Sequence, residues 1–383
     1  MKFIHTSDWH IGRQFHNVSL LDDQRFVLDQ LVDIIRHQHI DALIIAGDIY
    51  DRSIPPANAV ELLDDVLKII CLDLSVPVIM IPGNHDSAQR LGFGSQQLKQ
   101  AGLHILADLS KVAEPVVIKN KDKNETCNFY GIAYNDPEHV RNQFDVSIAD
   151  YQQAHVFLVN LIKLNKNQQQ ANIIISHCFV DGAEESESER PLSIGGTDRI
   201  SADLFKEFDY AALGHLHGPQ YKGEKYIRYS GSLLKYSFSE QHHNKGVTLV
   251  ELENNKLKGI SHLPLTPLRN MRVIEGALEE ILQQGRVDPD AEDYLLVRLT
   301  DTHAILDAMG KLRDVYPNVL HLEKPGLMAS AENYQIDREK IKRSELEMFH
   351  DFFNQVTGHE LSDLQADALK QTVSKLHHSQ VSK

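Results

Sequence analysis

The sequence predicts a layered α/β protein with a second, smaller βαβαβ unit and a helical tail. Three observations carry this. Short apolar runs alternate with helical periodicity up to about Leu213, close-set strand signals follow, and Pro264 and Pro267 then precede a fresh alternating pattern. At 383 residues the chain is long for one domain, and 42% hydrophobic with 24% charged residues is ordinary core-forming composition.

Taken in order, residues 2–6 form the first apolar run. Val27, Leu28, Leu31, Ile34 and Ile35 recur at helical spacing and predict a helix over 22–37. A buried strand at 41–46, a helix carrying Val60, Leu63, Val66, Leu67 and Ile70, and a strand at 76–81 come next. Further strands are expected at 103–106, 116–119, 129–133, 172–176 and 210–213, with a helix near 151–164. Such alternation calls for sheets covered on their faces. Shorter strands at 226–229, 247–252 and 257–263 complete a first domain, 1–267, bounded by the two prolines. Strands at 272–275, 294–300 and 319–322 and helices at 278–284 and 304–316 make a second, 268–325, closed by Pro325 and Gly326. A polar linker, 326–343, leads to two helices over 344–383 broken at Gly358. One carries Leu346, Phe349, Phe352, Phe353 and Val356; the other a weaker stripe of Leu361, Leu364, Ala368 and Leu376. These stripes suit packing on their own domain or docking on a partner. The acidic, serine-rich segment 182–188 reads as a mobile loop.

Thirty-nine basic against fifty-four acidic residues give a net charge of −15. That excludes a surface gripping nucleic acid by charge alone, but not a local basic groove or metal ions. Three cysteines, Cys71, Cys127 and Cys178, form no C-x-x-C pair, so a reducing compartment is expected rather than a disulfide framework. With no secretory apolar region and no run long enough to span a bilayer, a soluble cytoplasmic protein is expected.

Five clusters sit where predicted strands end: Asp8-Trp9-His10, Gly47-Asp48, Gly83-Asn84-His85-Asp86, Ser176-His177 and Gly214-His215-Leu216-His217. Loops beyond the carboxyl ends of strands converge on the ligand site of α/β sheets. A lone histidine after a strand is commonly structural; five such clusters in order are not a chance outcome. Oxygen and imidazole donors without cysteine suit Mn, Fe, Mg or Zn. Two ions about 3.5–4 Å apart clamp a phosphoryl group and activate water.

The series D-x-H, G-D, G-N-H-D, H and G-H-x-H resembles the calcineurin-like metallophosphoesterase family. SDWHIG at 7–12, AGDIYD at 46–51, GNHDS at 83–87, ALGHLH at 212–217 and YSGSLLKYSFSE at 229–240 are similar to the nuclease subunits of SbcCD-type repair complexes, bacterial counterparts of the Mre/Rad complexes. The resemblance covers nearly the whole chain. It implies a sandwich of two mixed β-sheets flanked by helices, a small α+β capping domain and a C-terminal helical hairpin. Carried over residue by residue, it implies Asp8, His10, Asp48 and His217 around a first metal ion, and Asp48, Asn84, His177 and His215 around a second. His85 is then the non-ligand acid that serves the leaving oxygen, a task suited to an imidazole. Asp86 is read as orienting His85 or capping a helix, and Asp51, where archaeal relatives often carry histidine, as an orienter outside the ligand set.

The resemblance further implies two divalent ions, with Mn2+ expected, and a DNA nuclease with double-strand 3'-5' exonuclease and single-strand or hairpin endonuclease activity. It implies a homodimer through the helices following Asp22 and Pro56, and a heterotetramer with an SbcC-like SMC-type ATPase on which the 346–376 hairpin docks, acting at the nucleoid. Arg13, Arg52, Arg90, Arg190 and Lys235 lie near motif loops and read equally as phosphate contacts or solvated surface. Trp9 reads as packing rather than base stacking. A small-substrate phosphoesterase is the alternative, disfavoured by the chain beyond Leu263. A silent scaffold would have lost a ligand, and all seven are present.

Overall fold

Strand periodicity in the first part of the chain resolves into two six-stranded mixed sheets. The computed structural model describes residues 1–122, 124–190, 192, 198–303, 305–325, 345–357 and 359–380. It divides into two units, Met1–Asn270 and Met271–Lys383.

In the first unit β1 (Lys2–Thr6), β2 (Ala42–Ala46), β3 (Val78–Ile81) and β4 (Leu103–Ile105) run parallel in that order. The second sheet is built from β5 (Val116–Lys119), β6 (Thr126–Ile132), β7 (Ala171–His177), β8 (Tyr210–Gly214), β9 (Gln220–Tyr221) and β10 (Ile227–Tyr229), in the order β9-β10-β8-β7-β6-β5. Its four inner strands are parallel. The chain then returns to the first sheet, where β11 (Gly246–Glu253) and β12 (Lys256–Pro264) add antiparallel strands outside β1.

Every residue of β2, β3, β7 and β8 is buried, the mark of strands covered on both faces. Between the sheets, the ring of Phe3 meets Phe129 and Tyr210 edge-on at 5.6 and 5.7 Å. Burying such a side chain contributes about 1.5–3 kcal/mol. α1 (Leu21–Gln38) and α2 (Ala57–Lys68) pack on each other and bury Val27, Leu28 and Leu31, and Leu62, Leu63 and Val66. On the outer side of the second sheet, α3 (Tyr151–Asn165) sets Ala154, Leu158 and Ile162 against Ile174, Ala211 and Leu213.

The second unit holds three parallel strands, β13 (Met271–Gly276), β14 (Tyr294–Leu299) and β15 (Val319–Glu323), with α4 (Leu278–Gly285) and α5 (Ala308–Arg313). Their core is centred on Ile281, Leu295, Val297, Leu312 and Tyr316. The helix expected over 304–316 is shorter because Asp307 turns left-handed (φ 50°) and its carboxylate accepts the Gly310 N–H, starting a new helix there. α6 (Glu345–Thr357) and α7 (Asp363–Gln380) pack on each other. The linker expected at 326–343, Gly358, and the Val356 and Leu376 side chains lie outside the described residues. Among the described residues no helix is long and apolar enough to cross a membrane.

Candidate metal centre

Parallel pairing levels the strand ends. Thr6 pairs with Ile45, Ala46 with Ile81 and Gly214 with His177. Asp8 and His10, Asp48, and Asn84 and His85 thus follow three adjacent ends of one sheet. His177, His215 and His217 occupy two adjacent ends of the other. The sheets touch at this rim, where the His177 Nδ1–H donates to the Ala46 carbonyl at 2.9 Å. A side chain at 214 would place its Cβ 1.8 Å from that carbonyl oxygen, and one at 83 would fall 2.2 Å from Asp48 Oδ1. Glycine at these two positions is a steric requirement.

Four rim residues adopt positive φ: Asp8 (53°), His10 (46°), Asp48 (50°) and His215 (107°). Each such residue costs about 1–3 kcal/mol and persists only where its surroundings over-determine it. Here the Asp8 N–H donates to Gly47 O and the His10 N–H to Asp48 O, both at 3.0 Å. Asp86 supplies the rest. Its carboxylate accepts the N–H groups of Gly83 at 2.9 Å and of Ile49 and Tyr50 at 3.0 Å. This corrects both expectations for Asp86: the carboxylate ties the β2 and β3 loops together, while the helix cap at this point is Ser87.

Around this frame the donor atoms converge. His10 Nε2 lies 3.1 Å from His217 Nε2 and 3.6 Å from Asp48 Oδ2. The same Asp48 oxygen is 3.4 Å from His177 Nε2, which is 2.9 Å from the Asn84 amide oxygen. Asp48 therefore stands between two donor sets. Asp8, His10 and His217, and Asp8, Asp48 and His177, form groups whose ligand atoms lie within 4.8 Å of one another. His215 enters differently: its ring meets that of His177 at 5.4 Å and its N–H donates to both Asp8 oxygens at 3.1 and 3.2 Å. His10, Asp51 and His85 form a third group. In it, Asp51 Oδ1 sits 3.8 Å from His10 Nδ1 and its carbonyl holds the His85 Nδ1–H at 2.8 Å. His85 also donates its backbone N–H to Asp48 Oδ1 at 2.9 Å.

Burial shapes the charges. It pushes Asp8 up to about 6. For Asp48 burial acts the same way, but His177 and His10 hold it well below the usual carboxylate range. Burial opposes the protonated form of His177, yet Asp48 carries it up to about 9. His85 is lowered by burial against the pull of Asp48.

These donors fit divalent cations. Among the described residues the ion pairs of Asp48 are with His10 and His177 alone. Two ligand atoms each about 2.1 Å from one ion and at right angles are about 3 Å apart, which matches the His10–His217 spacing. Buried carboxylates, imidazole nitrogens and an amide oxygen are the donor set of Mn, Fe, Mg or Zn sites.

Behind the rim lies a layer of which only Glu240, the end of the 229–240 motif, had a signal in the sequence. Segment 182–188, expected to be mobile, is anchored at its end. Ser188 Oγ lies 2.5 Å from His217 Nδ1 and donates to Glu240, and the neighbouring Glu189 accepts the His217 N–H at 2.7 Å. Lys245 donates to the His217 carbonyl at 2.7 Å and to Glu240 at 2.5 Å. Trp9 is fully buried, its indole N–H on Thr6 Oγ1 at 3.0 Å, so no base can stack on it. Arg13 pairs with Asp51, Lys235 with Gln241 and Asn270, and Arg90 with the Ser53 carbonyl. Arg52 and Arg190 are exposed. His5, also buried, is structural, bound to the Tyr210 hydroxyl and the Leu213 carbonyl.

A family model for calcineurin-like phosphoesterases matches residues 1–219. The chain is 35% identical over 375 residues to a Staphylococcus epidermidis protein named as the SbcD component of the nuclease SbcCD, covering 98% of both chains. The protein of that name from Staphylococcus saprophyticus is 36% identical over 377 residues, again 98% of both. The chain belongs to the SbcD family of calcineurin-like phosphoesterases. A second family model, described as the type 5 capsule protein repressor C-terminal domain, matches residues 267–357 of this family member. Among solved structures, a dimetal phosphatase from Danio rerio aligns with 69% of the chain at 14% identity and a TM-score of 0.39. As a calcineurin-like phosphoesterase the chain is an enzyme, a hydrolase acting on phosphodiester bonds, and its fold calls for divalent metal ions.

Proposed function

We propose that this phosphoesterase is a Mn2+-dependent DNA nuclease, a double-strand 3'-5' exonuclease and single-strand or hairpin endonuclease. It works in the cytoplasm, at the nucleoid, as the nuclease component of an SbcCD-type complex. The observation that carries the reading is end-to-end similarity to two proteins named as nuclease components, combined with a buried two-carboxylate, multi-imidazole rim. Asp8, His10, Asp48 and His217 would hold one ion, and Asp48, Asn84, His177 and His215 the other. Two such ions supply Lewis acidity, neutralising phosphoryl charge and lowering the pKa of water.

The chain's own residues do the remainder. The Asp51 carbonyl accepts only, so His85 carries its Nδ1 proton there and leaves Nε2 for proton transfer. Burial disfavours the charged ring, so His85 would serve as the acid only once Nε2 has taken up a proton, which it would then pass to the leaving oxygen. Arg190, whose charge reaches His85, is exposed and suits a DNA phosphate. A homodimer has support from an apolar groove lined by Val60, Leu63, Leu67, Leu72, Phe93 and Leu98, of which Phe93 is 85% exposed. Two copies would join two SMC-type ATPase chains in a heterotetramer. Exposed Phe349 and Phe352 on α6 suit docking of the C-terminal hairpin on that ATPase.

The test is cleavage of a labelled DNA hairpin and a blunt duplex in Mn2+, Mg2+ or EDTA, with His85→Ala beside the wild type. Mn2+-dependent cutting that His85→Ala abolishes without loss of metal is the expected result. Turnover of bis-p-nitrophenyl phosphate with no DNA cleavage, even with the ATPase added, would replace this reading by the small-substrate one.

A further inference from the structure

Three histidines of the rim are held through Nδ1. His177 donates to the Ala46 carbonyl and His85 to the Asp51 carbonyl. A carbonyl oxygen only accepts, so both rings carry hydrogen on Nδ1 and present Nε2. Among the described residues no carbonyl meets His217 Nδ1. Its Nδ1 faces a serine hydroxyl, Ser188, 2.5 Å away. A hydroxyl gives or takes a hydrogen bond and by itself leaves the tautomer open.

Glu240 removes that ambiguity. It is fully buried, and its Oε2 takes a hydrogen bond from Lys245 at 2.5 Å. Both side chains are buried, and the Lys245 ammonium against Oε2 holds Glu240 as the carboxylate. As a carboxylate it only accepts, so the Ser188 O–H is committed to Glu240 Oε1. Ser188 Oγ then has only lone pairs left for His217 and must accept the Nδ1–H. Neighbouring Ser186 is 3.0 Å from Ser188 Oγ, and its own hydroxyl has carboxylate acceptors in Glu189 at 2.7 Å and Glu240 at 3.3 Å. The backbone of His217 is pinned as well, its N–H by Glu189 and its carbonyl by Lys245.

We propose that Ser188 and Glu240 are positioning residues, a one-way hydroxyl relay that fixes His217 as the Nδ1–H tautomer and aims its Nε2 lone pair at the metal position shared with His10. Carboxylate partners behind metal-binding histidines do this directly in many sites, and losing them costs about 10–100-fold in metal affinity. Here the carboxylate acts through an inserted serine delivered by the 182–189 segment. The proposal rests on the reading of His217 as a ligand.

Calorimetric titration of the full-length chain with Mn2+ tests it, comparing wild type, Ser188→Ala, Ser188→Thr and His217→Ala. Wild type should bind two ions. Ser188→Ala should weaken one of them about 10–100-fold and leave the other unchanged. On a DNA hairpin its kcat should fall while KM holds. Ser188→Thr, which keeps the hydroxyl, should restore both. Wild-type Mn2+ affinities in Ser188→Ala alongside a weakened His217→Ala would overturn the relay alone. Wild-type affinities in His217→Ala would overturn the ligand reading beneath it. Equal loss in Ser188→Ala and Ser188→Thr would assign the effect to packing and also reject the relay.

Discussion

Removing the charge of Glu240 tests how the layer behind the rim is held together. Lys245 is 6% exposed and places its ammonium 2.5 Å from Glu240, 2.7 Å from the His217 carbonyl and 2.8 Å from Ser232 Oγ. Glu240→Gln leaves that ammonium buried without a counter-charge. The lysine can escape by losing its proton, which from an ordinary value near 10.4 costs at most about 4.6 kcal/mol at pH 7. Lys245→Met strands the carboxylate instead, whose protonation from about 4.3 costs at most about 3.7 kcal/mol. Both ceilings agree with the roughly 3–5 kcal/mol lost when one partner of a buried pair is removed. Glu240→Gln combined with Lys245→Met leaves no orphan charge, so the double variant should cost at least about 2 kcal/mol less than the sum of the singles. Urea unfolding at pH 7 in EDTA measures all four stabilities without metal linkage. Additive losses would refute the reasoning, because they would mean that the two charges do not depend on each other.

Two further outcomes follow. His5 and His155 are pushed down by burial, to about 3 and about 4. Their unfolded forms bind protons below about 6.5 while the folded forms do not, so their contribution is present above that pH and is lost as pH falls toward the buried values. Each should withdraw about 2 kcal/mol between pH 7 and 5, and His155→Leu should flatten the pH dependence of the urea midpoint. In the homodimer proposed above, Phe93→Asp should shift the sedimentation coefficient from dimer to monomer while the circular-dichroism spectrum stays that of the folded chain, since the side chain is 85% exposed; a dimer in that variant would place the interface elsewhere.

The alternating pattern was legible because strands covered on both faces are uninterrupted apolar runs, as in 42–46 and 171–177. The rim was legible because parallel strands bring their carboxyl ends level, so Gly-Asp and Gly-His pairs far apart in the chain meet. Glu240 closed a readable motif without its role showing, and Ser188, Glu189 and Lys245 carried no signal. These are common polar residues whose meeting with His217 crosses 23 to 29 positions with no periodicity to mark it. Asp86 sat in a readable motif, yet its work is done on N–H groups 36 and 37 residues away. Helix ends such as Asp307 depend on one left-handed residue and do not show in apolar spacing.

Trp9 is the only tryptophan in the chain, fully enclosed between Asp8 and His10. All indole emission of this protein therefore originates in the loop that would carry two metal donors. Quenching by a paramagnetic cation, and the red shift when water reaches the ring, would report loading and unfolding at the centre itself, with no label attached and, when excitation selects indole over tyrosine, no second source in the chain.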